Sequence, residues 1–433
     1  MFFAKRLFEK KNTPPKGNLK EASLEYWEEK SYMMVVPENE GDLAKLNDII
    51  GRISAIPHIT VMKKWADNKS QVFRMNIKYD NEEYQIGLFP GRFSLPKVLI
   101  NSSTYSFTEE EIEKLENAKS ALTIYMEFKS DARKSFHLQL KLAVAAFPNF
   151  LGLVDESAEQ LLPAKWAVLA ANSSVTPGPG AMYIIHAVYN ESGEIWLHTH
   201  GLCRCGLTEL EILQSDKENY GNHCNLINAF ASFLIDKDGE FNPRTQIAYL
   251  GALSNGEPVV AICKSWTEAI HYYDRLETGG TVDRKEAHNT RTSPIFLYKT
   301  EEDMKNNNLS KVADYNDLWG ENPIFFFSDK ETARMRALAI ERFDYLKKAL
   351  QDKGNKALIK IGLTTEGGED CEHIWFELLE FNHDKFKAKL TQEPYRVSNT
   401  HKGDERWFTV EEVTDWIIYT PKFTVTPDKV YLL

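Results

Sequence analysis

Cysteine is scarce in this chain. Five in 433 residues is a sparse and odd count, which excludes a disulfide-stapled scaffold and fits a reducing compartment. Long apolar runs are missing too. No stretch approaches the roughly 20 apolar residues of a membrane-spanning helix. The apolar start Met1–Ala4 is broken by Lys5 and Arg6, well short of the roughly 7–15 residues of a secretory signal. The expected address is therefore the cytoplasm. There is no surplus of positive charge: 52 Lys+Arg against 63 Asp+Glu leave −11, which argues against a general nucleic-acid coat. Absent as well are GxxxxGK(S/T), GxGxxG after a strand, HExxH and the GxSxG elbow. Common nucleotide, dinucleotide, zincin and α/β-hydrolase chemistries lose their support with them. No internal repeat or low-complexity tract is present.

What is there suffices for sizeable cores: 42% of residues are hydrophobic and 12% aromatic. The length corresponds to several domains, at roughly 100–200 residues each. Residues 1–30 read as a tail. Its first twenty residues carry six Lys/Arg and one acidic residue around Phe2, Phe3, Leu7 and Phe8. A self-docking or frayed tail is the plainer reading, a membrane-surface helix the sharper one. In 31–100, an apolar run at Tyr32–Val36 is followed by Leu43, Leu46, Ile49, Ile50 and Ile53 at helical spacing. Alternating runs at Phe73–Tyr79 and Tyr84–Leu88 then complete a β-α-β-β, ferredoxin-like layer. Residues 101–353 form a mixed α+β domain, with the loop Ser173–Gly180 as a candidate subdivision. Capping boxes at Thr108/Glu111, Ser215/Glu218 and Ser328/Glu331 should open helices there. Met182–Tyr189 and Glu194–His200 flank a hairpin turn, and Asn255-Gly256 marks another. In 357–433, short strands recur at close spacing, which suggests a small β sheet or partly open barrel. The fold class is thus α+β, multidomain.

Chemistry concentrates in Trp196–Gly206, WLHTHGLCRCG. On a strand, period two puts Trp196, His198 and His200 on one face. Cys203 and Cys205 follow beyond a turn, so four zinc-type donors lie within eight residues. The spacing matches no familiar zinc module, and the plainer reading is a strand end whose histidines bond to backbone and whose cysteines pack. A Cys–His nucleophile from the same residues would need a depressed thiol pKa and a nearby base. His186, inside the expected strand Met182–Tyr189, and His223, on the apolar face of its helix, read as core histidines. Arg284, Lys285, His288 and Arg291 form a basic patch without an anion-binding turn. Asp236–Glu240 resembles a calcium loop but lacks the glycine at position six, where Phe241 stands.

Longer stretches resemble two families. EHIWFELLEF (Glu372–Phe381), LTQEPY (Leu390–Tyr395), KGD (Lys402–Asp404) and TDWIIY (Thr414–Tyr419) are similar to the bacterial domain of unknown function numbered 2314. VPENEGDLAKLNDII, YMEFKSDARKSFHLQLKL, WLHTHGL followed by RCGLTELEIL, SDKENY and ERFDYLKKA resemble the domain-of-unknown-function family numbered 4026. The resemblance implies a bacterial protein and a domain split, but no reaction. It also implies an asparagine where Cys203 stands, which shifts weight to His198, His200 and Cys205. Glu209, Leu210 and Glu211 then matter structurally as much as the histidines.

Two function classes emerge. The first is a non-enzymatic binding protein, regulatory or immunity-like, with no cofactor and with a protein or peptide partner. Trp375, Trp407 and Trp416 would frame its groove, since aromatics supply much contact energy. The plainer reading puts Trp375 and Trp416 in a core. The second is a metal- or thiol-dependent enzyme, with zinc the ion, centred on His198, His200, Cys203 and Cys205. A scaffold that oligomerises through the β-α-β-β unit is a third.

Overall fold

A computed structural model describes residues 30–67, 72–253, 255–280, 283–284, 291–317, 319, 323–365 and 371–433. Most of the tail, Lys285 and His288 of the basic patch, and the acidic loop at 366–370 lie outside the described residues. The chain is α+β and multidomain, with two compact units. One takes residues up to 167 together with 177–327, and the other takes 168–176 with 328–433.

The first sheet of the larger unit contains β1 (Lys30–Pro37), β2 (Ile59–Asp67), β3 (Val72–Tyr79), β4 (Glu82–Arg92), β5 (Ser120–Glu127), β6 (Phe150–Asp155) and β7 (Gln160–Pro163). Their order is β2-β3-β4-β5-β1-β6-β7, and every pairing is antiparallel. The inner run β6-β1-β5-β4 has the 4-1-3-2 order of a ferredoxin-like layer, extended by β2 and β3 on one side and β7 on the other. The β-α-β-β start is therefore part of a larger sheet, which β5, β6 and β7 complete beyond residue 100. Helix α1 (Leu46–Ser54) buries Ile49, Ile50 and Ile53, as their three- and four-residue spacing requires. Helix α2 (Ala132–Ala146) is fixed to the strands by the buried amide of Gln139. It accepts from Ser31 Oγ (2.7 Å) and donates to the backbone of Ser31 and Ile124. Arg52 donates to the last carbonyls of α2, Ala145 and Ala146, where cations complement the helix end.

The second sheet holds β8 (Ile184–Tyr189), β9 (Ile195–His200), β10 (Glu209–Ser215), β11 (Ala248–Ala252), β12 (Pro258–Cys263), β13 (Thr292–Tyr298), β14 (Ser310–Lys311) and β15 (Ile324–Phe325). The order is β15-β11-β12-β13-β10-β9-β8, with β14 on β13. Only β10 and β13 run parallel among these described pairs. Helix α3 (Tyr220–Asp236) buries Leu226, Ile227, Phe230 and Leu234. A separate apolar cluster joins Trp196, Leu213, Val260, Ile262, Phe296 and Tyr298 to Tyr273 and Ala269. The capping boxes are unequal. Thr108 and Glu111 cap reciprocally, and Ser328 accepts from the backbone of Glu331. Ser215 does not cap: it ends β10 and turns its hydroxyl to His223, so α3 starts only at Tyr220.

The second unit carries an antiparallel sheet of β16 (Lys356–Thr364), β17 (Cys371–Asn382), β18 (Lys385–Leu390), β19 (Glu405–Thr409), β20 (Val413–Tyr419) and β21 (Thr424–Val425). Its order is β19-β18-β17-β16-β20-β21. Of the two shapes expected, the open sheet is found. Helices α4 (Asp329–Glu341) and α5 (Phe343–Ala349) cover one face, with Ala339, Phe343 and Leu346 packed on Ile359, Phe376, Phe386 and Trp416. Sheets with one covered face alternate apolar and polar residues, and β16 does so: Ala357, Ile359 and Ile361 are buried while Leu358 and Lys360 are half-buried.

Candidate functional site

Strands β8 and β9 pair antiparallel with His186 directly opposite His198, and with Ile184 opposite His200. Opposed residues share a face, and so do residues two apart on one strand. His186, His198 and His200 must therefore lie together, and they do. Their ring centroids are 5.8 Å (186–198), 4.6 Å (186–200) and 5.0 Å (198–200) apart. One potential ligand atom from each ring lies within 4.8 Å of the others. Trp196, next on the same face, stacks on His198 at 4.1 Å and walls the group on one side.

Glu159 adds a carboxylate beside two of the rings. It sits in the turn between β6 and β7 with φ at 52°, the left-handed region that glycine or asparagine usually takes. Its two carboxylate oxygens point at different rings: Oε2 is 3.8 Å from His186 Nδ1 and Oε1 is 3.9 Å from His200 Nδ1. The depth is graded. His198 is 2% exposed, while the side chains of His200, His186 and Glu159 keep 16%, 18% and 23%. Burial holds the His186 pKa below its usual 6.5, with the Glu159 carboxylate pulling the other way. A neutral ring with an available lone pair is the form that binds metal.

The cysteines take no part in this group. Cys203–Cys205 is a single 3₁₀ turn whose centre is Arg204. Arg204 is fully buried and donates to Asp155 Oδ1 (2.7 Å), to Ser31 Oγ (3.1 Å) and to the carbonyl of Met182. Its guanidinium also lies over Phe136 at 5.0 Å and Phe128 at 5.4 Å. Aiming Arg204 at β1 and β6 turns its neighbours away from the histidines. Cys203 is buried, and Cys205 Sγ lies 3.8 Å from the carbonyl of Gly201. Burial pushes the Cys205 thiol up to about 12, the opposite of the depression that an activated nucleophile needs. His186 stands where the sequence put the two cysteines.

Glu209 and Glu211 are structural. Glu209 accepts from Thr199 Oγ1 (2.6 Å) and from the backbone of Gly201 and Cys203, which fixes the loop after β9. Burial raises its pKa against those donors. Glu211 pairs in register with His198, is fully buried, and makes a two-point ion pair with Arg284. Arg284 also donates to Gly279 and lies 3.5 Å from the Trp266 ring centroid. It is thus a core cation, not part of an exposed basic patch. His223 is a core histidine: Nδ1 is 2.7 Å from Ser215 Oγ and Nε2 is 3.0 Å from Asn316 Oδ1. Asn316 donates its amide to Asp216, so its oxygen faces the ring and the His223 proton sits on Nε2.

In the C-terminal sheet the three tryptophans do not share a face. Trp416 is fully buried against α4, with its indole N–H donating to the carbonyl of Ala339 (2.9 Å). Trp375 opposes Lys360 and Trp407 opposes Lys387, both on the uncovered side. Lys360 lies 5.3 Å from the Trp375 ring, and Trp407 is 44% exposed. A groove framed by all three cannot form, because an odd offset along β20 turns Trp416 inward beside Ile418.

Fold and site together define a multidomain α+β protein carrying a cluster of three imidazoles at the open end of its second sheet. Residues 31–177 match the family described as protein of unknown function (DUF4026) N-terminal, and 185–296 match its C-terminal part. Residues 331–426 match the family described as uncharacterized protein conserved in bacteria (DUF2314). The chain belongs to the DUF4026 family and carries a DUF2314 domain after it. No curated protein and no solved structure matches it.

Proposed function

We propose that this bacterial protein binds a divalent ion of the zinc class through His186, His198 and His200. The observation that carries this reading is the convergence of three imidazole ligand atoms within 4.8 Å of one another. Zinc–nitrogen bonds of about 2.0–2.1 Å in tetrahedral geometry need nitrogens about 3.3 Å apart, which small ring rotations can supply. Nitrogen-only donors suit zinc, copper or nickel better than calcium or magnesium. Cys203 and Cys205 are not in the proposed ligand set. The test is elemental analysis and zinc titration of the purified full chain. About one equivalent is expected, retained by a Cys203→Ser/Cys205→Ser variant and lost by a folded His198→Ala/His200→Ala variant. Less than about one-tenth of an equivalent in the parent protein would end the proposal.

A second reading concerns the uncovered face of the C-terminal sheet. Trp407, exposed beside the Lys387–Glu405 ion pair (2.6 Å), supports a protein- or peptide-binding role there. Five free cysteines suit a cytoplasmic address for both readings. Among the described residues no helix is long and apolar enough to cross a membrane.

A further inference from the structure

The position of Glu159 deepens the metal reading, and the role proposed for it rests on that reading. A carboxylate beside three imidazoles could complete a closed, four-ligand site or could act on the rings from behind. The geometry distinguishes these. Each oxygen faces a different ring, and each faces Nδ1. In a neutral imidazole one nitrogen carries the proton and the other the lone pair. A carboxylate opposite Nδ1 stabilises the Nδ1–H tautomer, which leaves the lone pair on Nε2. The Nε2 of His186 is buried and has no hydrogen-bond partner among the described residues. The mouth is on the side of His186, His200 and Glu159, which keep 16–23% of their side-chain exposure, while His198 forms the floor.

We propose that Glu159 is a positioning residue that faces the Nδ1 edges of His186 and His200, so that both rings turn Nε2 to an ion they share with His198 and its outward position is left to water or a small anion. This is the arrangement of sites that present an exchangeable ligand, unlike closed four-ligand structural sites. Glu159 sits in the turn between β6 and β7 in a left-handed conformation, with its carboxylate against β8 and β9.

The experiment uses Co²⁺ as the probe on the full chain, with azide as the small anion. Titration should saturate at one equivalent, with visible bands of the intensity of four- or five-coordinate cobalt, and azide should shift those bands. Glu159→Gln should still take one equivalent, bind about 10–100-fold more weakly, and still respond to azide. If the parent spectrum ignores azide while Glu159→Gln responds, Glu159 is itself a ligand and the proposal is overturned. A Glu159→Gln protein with native circular dichroism and unchanged Co²⁺ affinity overturns it as well. If the parent chain takes no Co²⁺ and no Zn²⁺, the metal reading itself has failed, a result distinct from the other two.

Discussion

The β8–β9 hairpin and the C-terminal sheet both present residues that the sequence marks as chemically interesting, yet they reach their arrangements differently. In the C-terminal sheet, period two does nearly everything. Lys360 and Trp375 fall on one side, Ile359 and Trp416 on the other, and α4 and α5 choose the side that is buried. In the hairpin, alternation aligns His198 with His200 but cannot supply the third ring or the carboxylate. His186 arrives through strand register. Glu159 arrives from a different sheet altogether. Alternation within a strand assigns a face, whereas a site for a ligand requires register and tertiary approach as well.

The largest effect should come from the anchor between the two sheets of the first unit. Arg204→Ala leaves Asp155 buried without its partner, and losing one member of a buried ion pair costs about 3–5 kcal/mol. Urea unfolding should show that loss. A change below about 1 kcal/mol would mean that the turn at Cys203–Cys205 serves the histidines and not the fold. In the C-terminal sheet, Trp416→Ala removes a fully buried indole and its hydrogen bond, at a cost of about 3–5 kcal/mol. Comparable stability in that variant would place Trp416 outside the core.

Zinc at a hundred times its dissociation constant should stabilise the parent by about 2.7 kcal/mol, and this increment should vanish in His186→Ala. An increment that survives His186→Ala but not Cys205→Ser would return the site to the cysteine turn. A smaller effect is expected from pH in metal-free protein. Burial lowers the His223 pKa below 6.5, against the pull of Asn316 and Asp216. On acidification the unfolded chain is protonated first, as pH passes about 6.5, so stability falls there and is fully present above it. His223→Gln should flatten that slope, and an unchanged slope would assign it to other groups. The smallest change should be Trp407→Ala, within about 0.5 kcal/mol, because the ring is 44% exposed. Loss of stability equal to that of Trp416→Ala would erase the distinction between the two faces.

Much of this protein is legible from local pattern. The spacing of Ile49, Ile50 and Ile53, the Thr108/Glu111 cap and the strands of residues 357–433 all appear where periodicity and capping chemistry require. The pairing of His186 with His198 is not legible in this way: counting outward from a turn at Asn190–Gly193 sets His186 opposite Leu197, and the loop that forms, 190–194, is one residue longer and shifts the register. The failures are also local in origin. Ser215 had a buried imidazole available and chose it over a helix N-terminus. Element type marks Cys203 and Cys205 as donors, but the residue between them, Arg204, anchors the turn to Asp155.

The amino-acid order by itself determined which residues alternate, where helices begin, and that two histidines share a strand face, because these depend on backbone geometry over a few residues. Only the tertiary structure decided that Glu159 meets those histidines, that Arg204 turns the cysteines aside, and that Glu211 and Arg284 neutralise each other in the core. Each of those is a contact between segments far apart in the chain. Such contacts are selected by the need to pair buried charge once the sheets pack, a requirement that no short window of sequence contains.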